Sequence, residues 1–123
     1  MALHNEIGKT GESIAKNFLQ ENKYEIIATN WRHKKFEIDI LARKKQLIKI
    51  IEVKTRTNNL YGEPSTFVDK QKQRMLVQAA DCYAQLQSLE DIEMEFDIIS
   101  IVLRKDDTFT IEHIENAFYA TIK

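Results

Sequence analysis

One short run of the chain constrains the fold more than any other, the segment LIKIIEVKT at residues 47–55. It is almost continuously apolar up to Glu52, a pattern typical of a central strand covered on both faces. Side chains alternate along a strand, which places Glu52 and Lys54 on the face that begins with Ile48 and Ile50. Burying two charged groups without partners is costly. We therefore expect compensating groups at this end of the strand.

Helix-like and strand-like patterns surround this run in the order α-β-β-β-α-β-β. Apolar residues recur at spacings of three and four in two stretches, which predicts amphipathic helices at about Asn5–Asn22 and Asp69–Leu89. Alternating or apolar runs predict strands at Tyr24–Trp31, Phe36–Ala42, Leu47–Thr55, Phe96–Leu103 and Phe109–Ile114. Residues 57–65 are predicted to form a loop. This order predicts one domain over residues 1–123, a mixed α/β (α+β) fold with a mixed sheet flanked by helices.

Composition excludes several classes of protein. The chain of 123 residues suits one domain, and its apolar runs are too short to span a bilayer. The segment Met1–Thr10 lacks the apolar stretch of a secretory signal. The single cysteine, Cys82, cannot form an internal disulfide. We therefore expect a cytoplasmic protein that is not embedded in a membrane.

The net charge of −1 conceals an uneven distribution of charge along the chain. Lys and Arg exceed Asp and Glu by five in residues 1–56, whereas acidic residues exceed basic ones by six in residues 57–123. A basic half favours an anionic partner such as nucleic acid. The same split also fits a surface whose opposite charges meet within one fold, or a self-associating protein.

The hairpin between the second and third strands is predicted to bring a carboxylate close to Glu52. With a turn at Arg43–Gln46, Asp39 lies opposite Ile50 and diagonal to Glu52. Two carboxylates this close repel each other, and a bound Mg²⁺ relieves the repulsion because it accepts one or two protein carboxylates together with phosphate oxygens. The alternative is a set of cross-strand ion pairs that binds no ligand.

The residue types at this position indicate a chemistry. A divalent metal polarises a phosphodiester and lowers the pKa of a bound water. Lys54 is suited to orient that water or to offset negative charge that develops on the phosphate. Asp39, Glu52 and Lys54 together therefore indicate phosphodiester hydrolysis with Mg²⁺, or Mn²⁺, as the cofactor.

Basic and hydroxyl side chains near these strands are candidates for phosphate contacts. Thr55 and Arg56 directly follow Lys54, and Lys72 lies on the apolar face of the second helix near its N-terminus, where the helix dipole favours anions. The first hairpin adds Arg32, Lys34 and Lys35. Such contacts position a duplex without reading its sequence. For each of these residues other than Lys72, an ordinary solvated turn is an equally good explanation.

Several motifs in chain order resemble one family. Asp39, twelve residues and then Glu52-Val53-Lys54 resemble the PD-(D/E)XK nuclease signature. More closely, the chain resembles the bacterial YraN-like family through GxxGE at residues 8–12, NWR at 30–32, EID at 37–39, EVKTR at 52–56 and YGxP at 61–64. That family is largely uncharacterised and is grouped with Holliday-junction-resolvase-like endonucleases. The resemblance implies a restriction-endonuclease-like core.

The resemblance also implies a role for each matching residue. Asp39 and Glu52 would bind the metal, and Lys54 would position the attacking water or stabilise charge. Glu12, on the first helix, would be an additional metal-binding carboxylate. Glu37 would either bind the metal itself or support a residue that does. Each of these residues is thus expected in a single catalytic site.

A substrate and an assembly follow from the same resemblance. Such a nuclease is expected to act on DNA, recognising branched or distorted structure rather than sequence, and a homodimer is expected because two strands must be cut. Phe36 departs from the family, which commonly has glycine at this position, but the metal-binding residues are kept. Two other interpretations stay open: a non-catalytic nucleic-acid-binding or scaffolding module with the same fold, and a protein whose acidic second half docks a protein partner.

Overall fold

The structure, a computed structural model, describes residues 2–57 and 68–119. Its helices and strands follow the predicted order and are α1 (Ala2–Glu21), β1 (Glu25–His33), β2 (Phe36–Lys44), β3 (Leu47–Thr57), α2 (Lys70–Leu86), β4 (Glu93–Leu103) and β5 (Phe109–Phe118). The mixed α+β fold class is therefore confirmed. The predicted loop lies largely outside the described residues, together with the YGxP motif, and Thr57 belongs to β3 instead.

The five strands form one sheet in the order β1-β2-β3-β4-β5. Only β3 and β4 run parallel, and the other neighbours are antiparallel. The parallel pair needs a crossover connection, and α2 lies within that connection. The apolar run at 47–55 is thus a central strand, as predicted.

The two helices cover opposite faces of the sheet, which explains why β3 is apolar on both sides. Ala15 and Leu19 of α1 pack with Ile51 of β3 in one buried cluster. On the other face, the buried side of α2 packs against Ile48 and Ile50 through Leu76, Ala79, Ala80 and Tyr83. In the described part of the chain, neither helix has the length and apolar character that a membrane span requires.

Several predicted boundaries are wrong, among them those of β4, β5 and α2. β4 begins at Glu93 rather than Phe96, because parallel pairing with β3 draws the acidic residues Glu93 and Glu95 into the sheet. β5 continues to Phe118. The second helix ends at Leu86, which is 51% exposed and so lies outside the core.

Strand directions divide the molecule into two ends. β1, β3 and β4 all run towards the same end, which we call the site end. The β1–β2 turn, the carboxyl end of β3 and the start of α2 lie there. The β2–β3 turn and the start of β4 lie at the opposite end. The acidic segment at residues 90–95 is therefore separated from the carboxyl end of β3 by the length of the sheet.

Candidate active site

The β2–β3 hairpin brings Asp39 opposite Glu52. Ile40 pairs with Ile51, and the next step of this register opposes Asp39 to Glu52. The predicted pairing of Asp39 with Ile50 is therefore wrong by two residues. The physical reason is the turn, which uses two residues instead of four, so β2 continues to Lys44, two residues beyond its predicted end.

Asp39 lies where the backbone pairing between β2 and β3 ends. Its Oδ2 accepts a hydrogen bond from the backbone N–H of Val53 at 2.9 Å. The carboxylate of Asp39 thus takes the place of a backbone carbonyl as the acceptor, and the N–H of Val53 keeps a hydrogen-bond partner. The contact holds the carboxylate against β3.

Burial and the neighbouring Glu52 raise the pKa of Asp39 from 3.8 to about 7. Removal from water disfavours the charged form and is the larger cause, and the negative charge of Glu52 adds to it. The hydrogen bond from Val53 and the charge of Lys72 act in the opposite direction. The pair therefore carries more negative charge than its surroundings compensate, and a bound cation would relieve this excess.

Glu52 also faces the N-terminus of α2. Its Oε2 lies 3.7 Å from Nζ of Lys72. Asp69 caps the helix by accepting a hydrogen bond from the backbone N–H of Lys72 at 2.8 Å. The cap fixes the first turn of α2, from which Lys72 reaches Glu52.

Lys54 follows Glu52 on the same face of β3. Burial lowers the pKa of its ammonium group, and the nearby Arg56 lowers it further, whereas Glu52 and Asp69 act to raise it. The net direction is downward, so Lys54 releases a proton more readily than an ordinary surface lysine.

Glu12 reaches towards these carboxylates from α1. Its Oε1 accepts a hydrogen bond from Nδ2 of Asn30 at 3.0 Å. The pKa of Glu12 is raised, mainly because the side chain is partly buried. The hydrogen bond from Asn30 acts to lower this pKa, whereas the negative charges of Asp39 and Glu37 act to raise it. Glu37 itself lies 3.2 Å from Arg32 in an exposed ion pair. Glu12 therefore lies within electrostatic reach of Asp39.

Close packing of α1 on β3 brings Glu12 to this position. A methyl group at Gly11 would overlap the side chain of Thr55, so only glycine fits there. A methyl group at Gly8 would meet no atom within 4 Å. The side chain of Thr55, a predicted phosphate contact, thus lies in the helix–sheet interface.

An open cavity of about 310 Å³ lies between α1 and the carboxyl end of β3. Glu12, Glu52 and Lys54 line it, with Thr55 and Arg56 towards its edge. Three of the predicted catalytic residues are thus among those that line one cavity.

The remaining predicted phosphate contacts are exposed at the site end. Arg56 is exposed at the end of β3, and Lys34 adopts φ 55° in the β1–β2 turn. Nζ of Lys35 lies 5.8 Å from the ring centroid of Phe36. Arg32 lies near the end of β1 beside this turn and is paired with Glu37. Together these residues place basic side chains on the end of the molecule that carries the cavity.

A second charged cluster, which the sequence analysis missed, lies towards the opposite end. Nζ of Lys49, which is 1% exposed, lies 2.6 Å from Glu95 and 3.1 Å from both Asp97 and Glu115. Nε2 of His113 lies 2.7 Å from Asp97. Burial acts to lower the pKa of Lys49, but hydrogen bonds and the adjacent carboxylates raise it overall. No sequence spacing signals this cluster, because its members come from three strands.

The geometry of this cluster bears on where a metal would bind. Within the described residues, the ligand atoms of Asp97, His113 and Glu115 form the one group of three that lies within 4.8 Å. The ammonium group of Lys49 already contacts two of these carboxylates and supplies their cation. A larger cavity, about 490 Å³, borders this cluster, but size alone does not make it the reactive site. The candidate site offers two facing carboxylates, as many as Mg²⁺ usually takes from a protein.

Comparison with known proteins identifies the family of the chain. Residues 11–101 match the uncharacterised protein family UPF0102. The chain is 44% identical to the UPF0102 protein FP2501 of Flavobacterium psychrophilum, over 97% of this chain and 98% of the relative. It is 44% identical to a UPF0102 protein of Bacteroides thetaiotaomicron, over 97% of each chain. A UPF0102 protein of Clostridium beijerinckii is 38% identical, over 94% of this chain and 95% of the relative. The family match includes every residue of the candidate site.

Proposed function

The chain belongs to the uncharacterised protein family UPF0102, and from the geometry of its site we propose that it is a metal-dependent endonuclease that hydrolyses phosphodiester bonds in DNA. The observation that carries this proposal is the register of β2 and β3, which opposes Asp39 to Glu52 with Lys54 following on the same strand. The resemblance of these residues to the PD-(D/E)XK signature supports the same chemistry.

Asp39 and Glu52 would hold the metal, Mg²⁺ or Mn²⁺. Their oxygen donors suit a hard divalent cation. Burial raises the pKa of Asp39 most and the charge of Glu52 adds to it, and a bound cation would offset both effects. When bound, the cation supplies positive charge to the phosphate and acidifies a water. Glu12 would face this cation through water, because Mg²⁺ keeps several of its own waters.

The two lysines would have different tasks. Lys54, whose pKa is lowered, would orient the attacking water and accept or return its proton. Lys72, held at the N-terminus of α2, would bind a non-bridging phosphate oxygen, where the helix dipole also favours an anion. Both lysines would act on the same phosphate from one face of the sheet.

The substrate is proposed from the distribution of positive charge. Arg32, Lys34, Lys35 and Arg56 would contact the DNA backbone beyond the scissile phosphate. Contacts of this kind carry no sequence information, so we propose that branched DNA is selected by its shape. A homodimer would present two such sites to the two strands.

The proposal is tested by incubating labelled duplex, flap and four-way-junction DNA with the protein, with and without Mn²⁺. We expect metal-dependent cleavage that Glu52→Gln reduces by about 100-fold or more. Glu93→Gln, the same substitution on an exposed residue at the opposite end, should leave cleavage unchanged. Absence of cleavage on every substrate, or cleavage that survives Glu52→Gln, contradicts the proposal. Salt-dependent DNA binding without cleavage would favour the non-catalytic module.

A further inference from the structure

Asn30 has an unusual backbone conformation for a strand residue. Its φ is 52°, in the left-handed region that side chains other than those of glycine, asparagine and aspartate rarely adopt. In the ladder between β1 and β2, Thr29 pairs with Ile40 and Trp31 with Ile38. Asn30 therefore lies at the step that faces Asp39.

At Asn30, the regular alternation of side chains between the two faces of the sheet is interrupted. Ala28 and Trp31, three residues apart, both pack in the cluster beneath α2, which strict alternation would forbid. Ile38 and Leu41 on β2 show the same change. The irregularity thus spans both strands at the position of Asp39.

The side chain of Asn30 links this position to α1. Nδ2 donates a hydrogen bond to Oε1 of Glu12 at 3.0 Å, across 18 residues of sequence. One oxygen of Glu12 is thereby engaged, and Glu12 also lines the cavity beside the carboxyl end of β3. Because the close contact of Gly11 with Thr55 fixes the helix, this hydrogen bond selects the orientation of the carboxylate rather than the position of the backbone.

We propose that Asn30 is a positioning residue, which holds Glu12 in the orientation that strengthens divalent-metal binding at Asp39 and Glu52. This inference rests on the proposed function, since it concerns the same metal. Asn30 itself does not touch the metal. Groups that orient metal-binding or water-bridging carboxylates commonly change metal affinity by 10–100-fold when they are removed.

The test measures Mn²⁺ affinity by electron paramagnetic resonance, which counts free Mn²⁺ and needs no nucleic acid. Asn30→Gly removes the amide while keeping a residue that tolerates positive φ. The matched control is Asn116→Gly, because Asn116 has φ 51° in the other edge strand and its backbone N–H, not its side chain, contacts Asp97. We expect Asn30→Gly to weaken Mn²⁺ binding by about tenfold or more and Asn116→Gly to leave it unchanged.

A double substitution distinguishes positioning from a structural effect. If Asn30 acts through Glu12, Asn30→Gly added to Glu12→Ala should weaken binding by less than about twofold beyond Glu12→Ala alone. Unchanged Mn²⁺ affinity in Asn30→Gly, or equal losses in both backgrounds, overturns this inference while leaving the proposed function standing. Failure of the wild-type protein to bind Mn²⁺, or binding that survives Glu52→Gln, overturns both.

Discussion

Asp39 is the residue whose chemistry the fold changes most, because burial and Glu52 together favour its protonated form. A carboxyl group with a raised pKa stabilises the folded state only while it is protonated. Its contribution therefore declines as pH rises from about 4 to about 7 and stays constant above that range.

We expect Asp39→Asn to stabilise the metal-free protein at pH 8, because asparagine keeps an acceptor for the N–H of Val53 and removes the charge. The gain in free energy of unfolding should be about 1–3 kcal/mol at pH 8 and close to zero at pH 4. Urea unfolding at the two pH values measures it. Asp81→Asn on the exposed side of α2 serves as the control, and an equal effect of both substitutions would contradict the electrostatic explanation.

The same protonation predicts a pH dependence of metal binding. A metal must displace the proton of Asp39, so the affinity for Mn²⁺ should fall by about tenfold between pH 8 and pH 6. Titration of the wild-type protein at both pH values measures this change. An affinity that does not depend on pH over this interval would show that Asp39 binds no metal or is already ionised.

At the scale of helices and strands, the two glycines of α1 give opposite predictions. Gly8→Ala should stabilise the protein by about 0.5–1 kcal/mol, because alanine favours a helix and its methyl group meets no atom. Gly11→Ala should destabilise it by about 1–3 kcal/mol, because the methyl group overlaps Thr55. Chemical denaturation of both variants measures the difference. If Gly11→Ala were as stable as Gly8→Ala, the close helix–sheet contact would be wrong.

The existence of each helix and strand could be predicted from periodicity, but the register of β2 and β3 could not. Two-residue hairpin turns are usually signalled by Asn-Gly or Asp-Gly, whereas this turn uses Lys45 and Gln46, with Lys45 at φ 58°. The polar stretch of four residues therefore predicts a longer turn. The pairing of Asp39 with Glu52 is predictable despite the two-residue difference in register, because both residues lie near the same strand ends.

Some polar contacts, in the site and in the Lys49 cluster, join distant segments of the chain, and sequence alone gives no signal for them. The hydrogen bond between Asn30 and Glu12 joins a strand to a helix. The partners of Lys49 are 46 to 66 residues away. Local patterns describe individual strands and helices, whereas these contacts depend on how the strands and helices pack together.

At the scale of the whole molecule, the uneven charge of the sequence becomes a difference between two ends. The β1–β2 turn carries Lys34 and Lys35 at the site end. At the opposite end, Lys44 is the last residue of β2 and Lys45 lies in the β2–β3 turn. The acidic residues 90–95 lie near the second pair. Lys34 and Lys35, by contrast, lie at the end of the molecule that carries the candidate active site.

We expect the double substitution of Lys34 and Lys35 to Glu to weaken DNA binding by about tenfold or more. The slope of log affinity against log salt concentration should fall by the equivalent of about one to two phosphate contacts. The same change at Lys44 and Lys45 alters net charge equally but should have a much smaller effect. Fluorescence anisotropy at several salt concentrations, with metal omitted, measures both. Equal losses in the two variants would mean that net charge, not the site end, governs binding.

The most direct measurement of the central claim is anomalous diffraction from a crystal soaked in Mn²⁺. We predict a peak between the carboxylates of Asp39 and Glu52, absent in Glu52→Gln. A peak at Asp97, His113 and Glu115 instead, or no ordered Mn²⁺ at the carboxyl end of β3, would contradict the account.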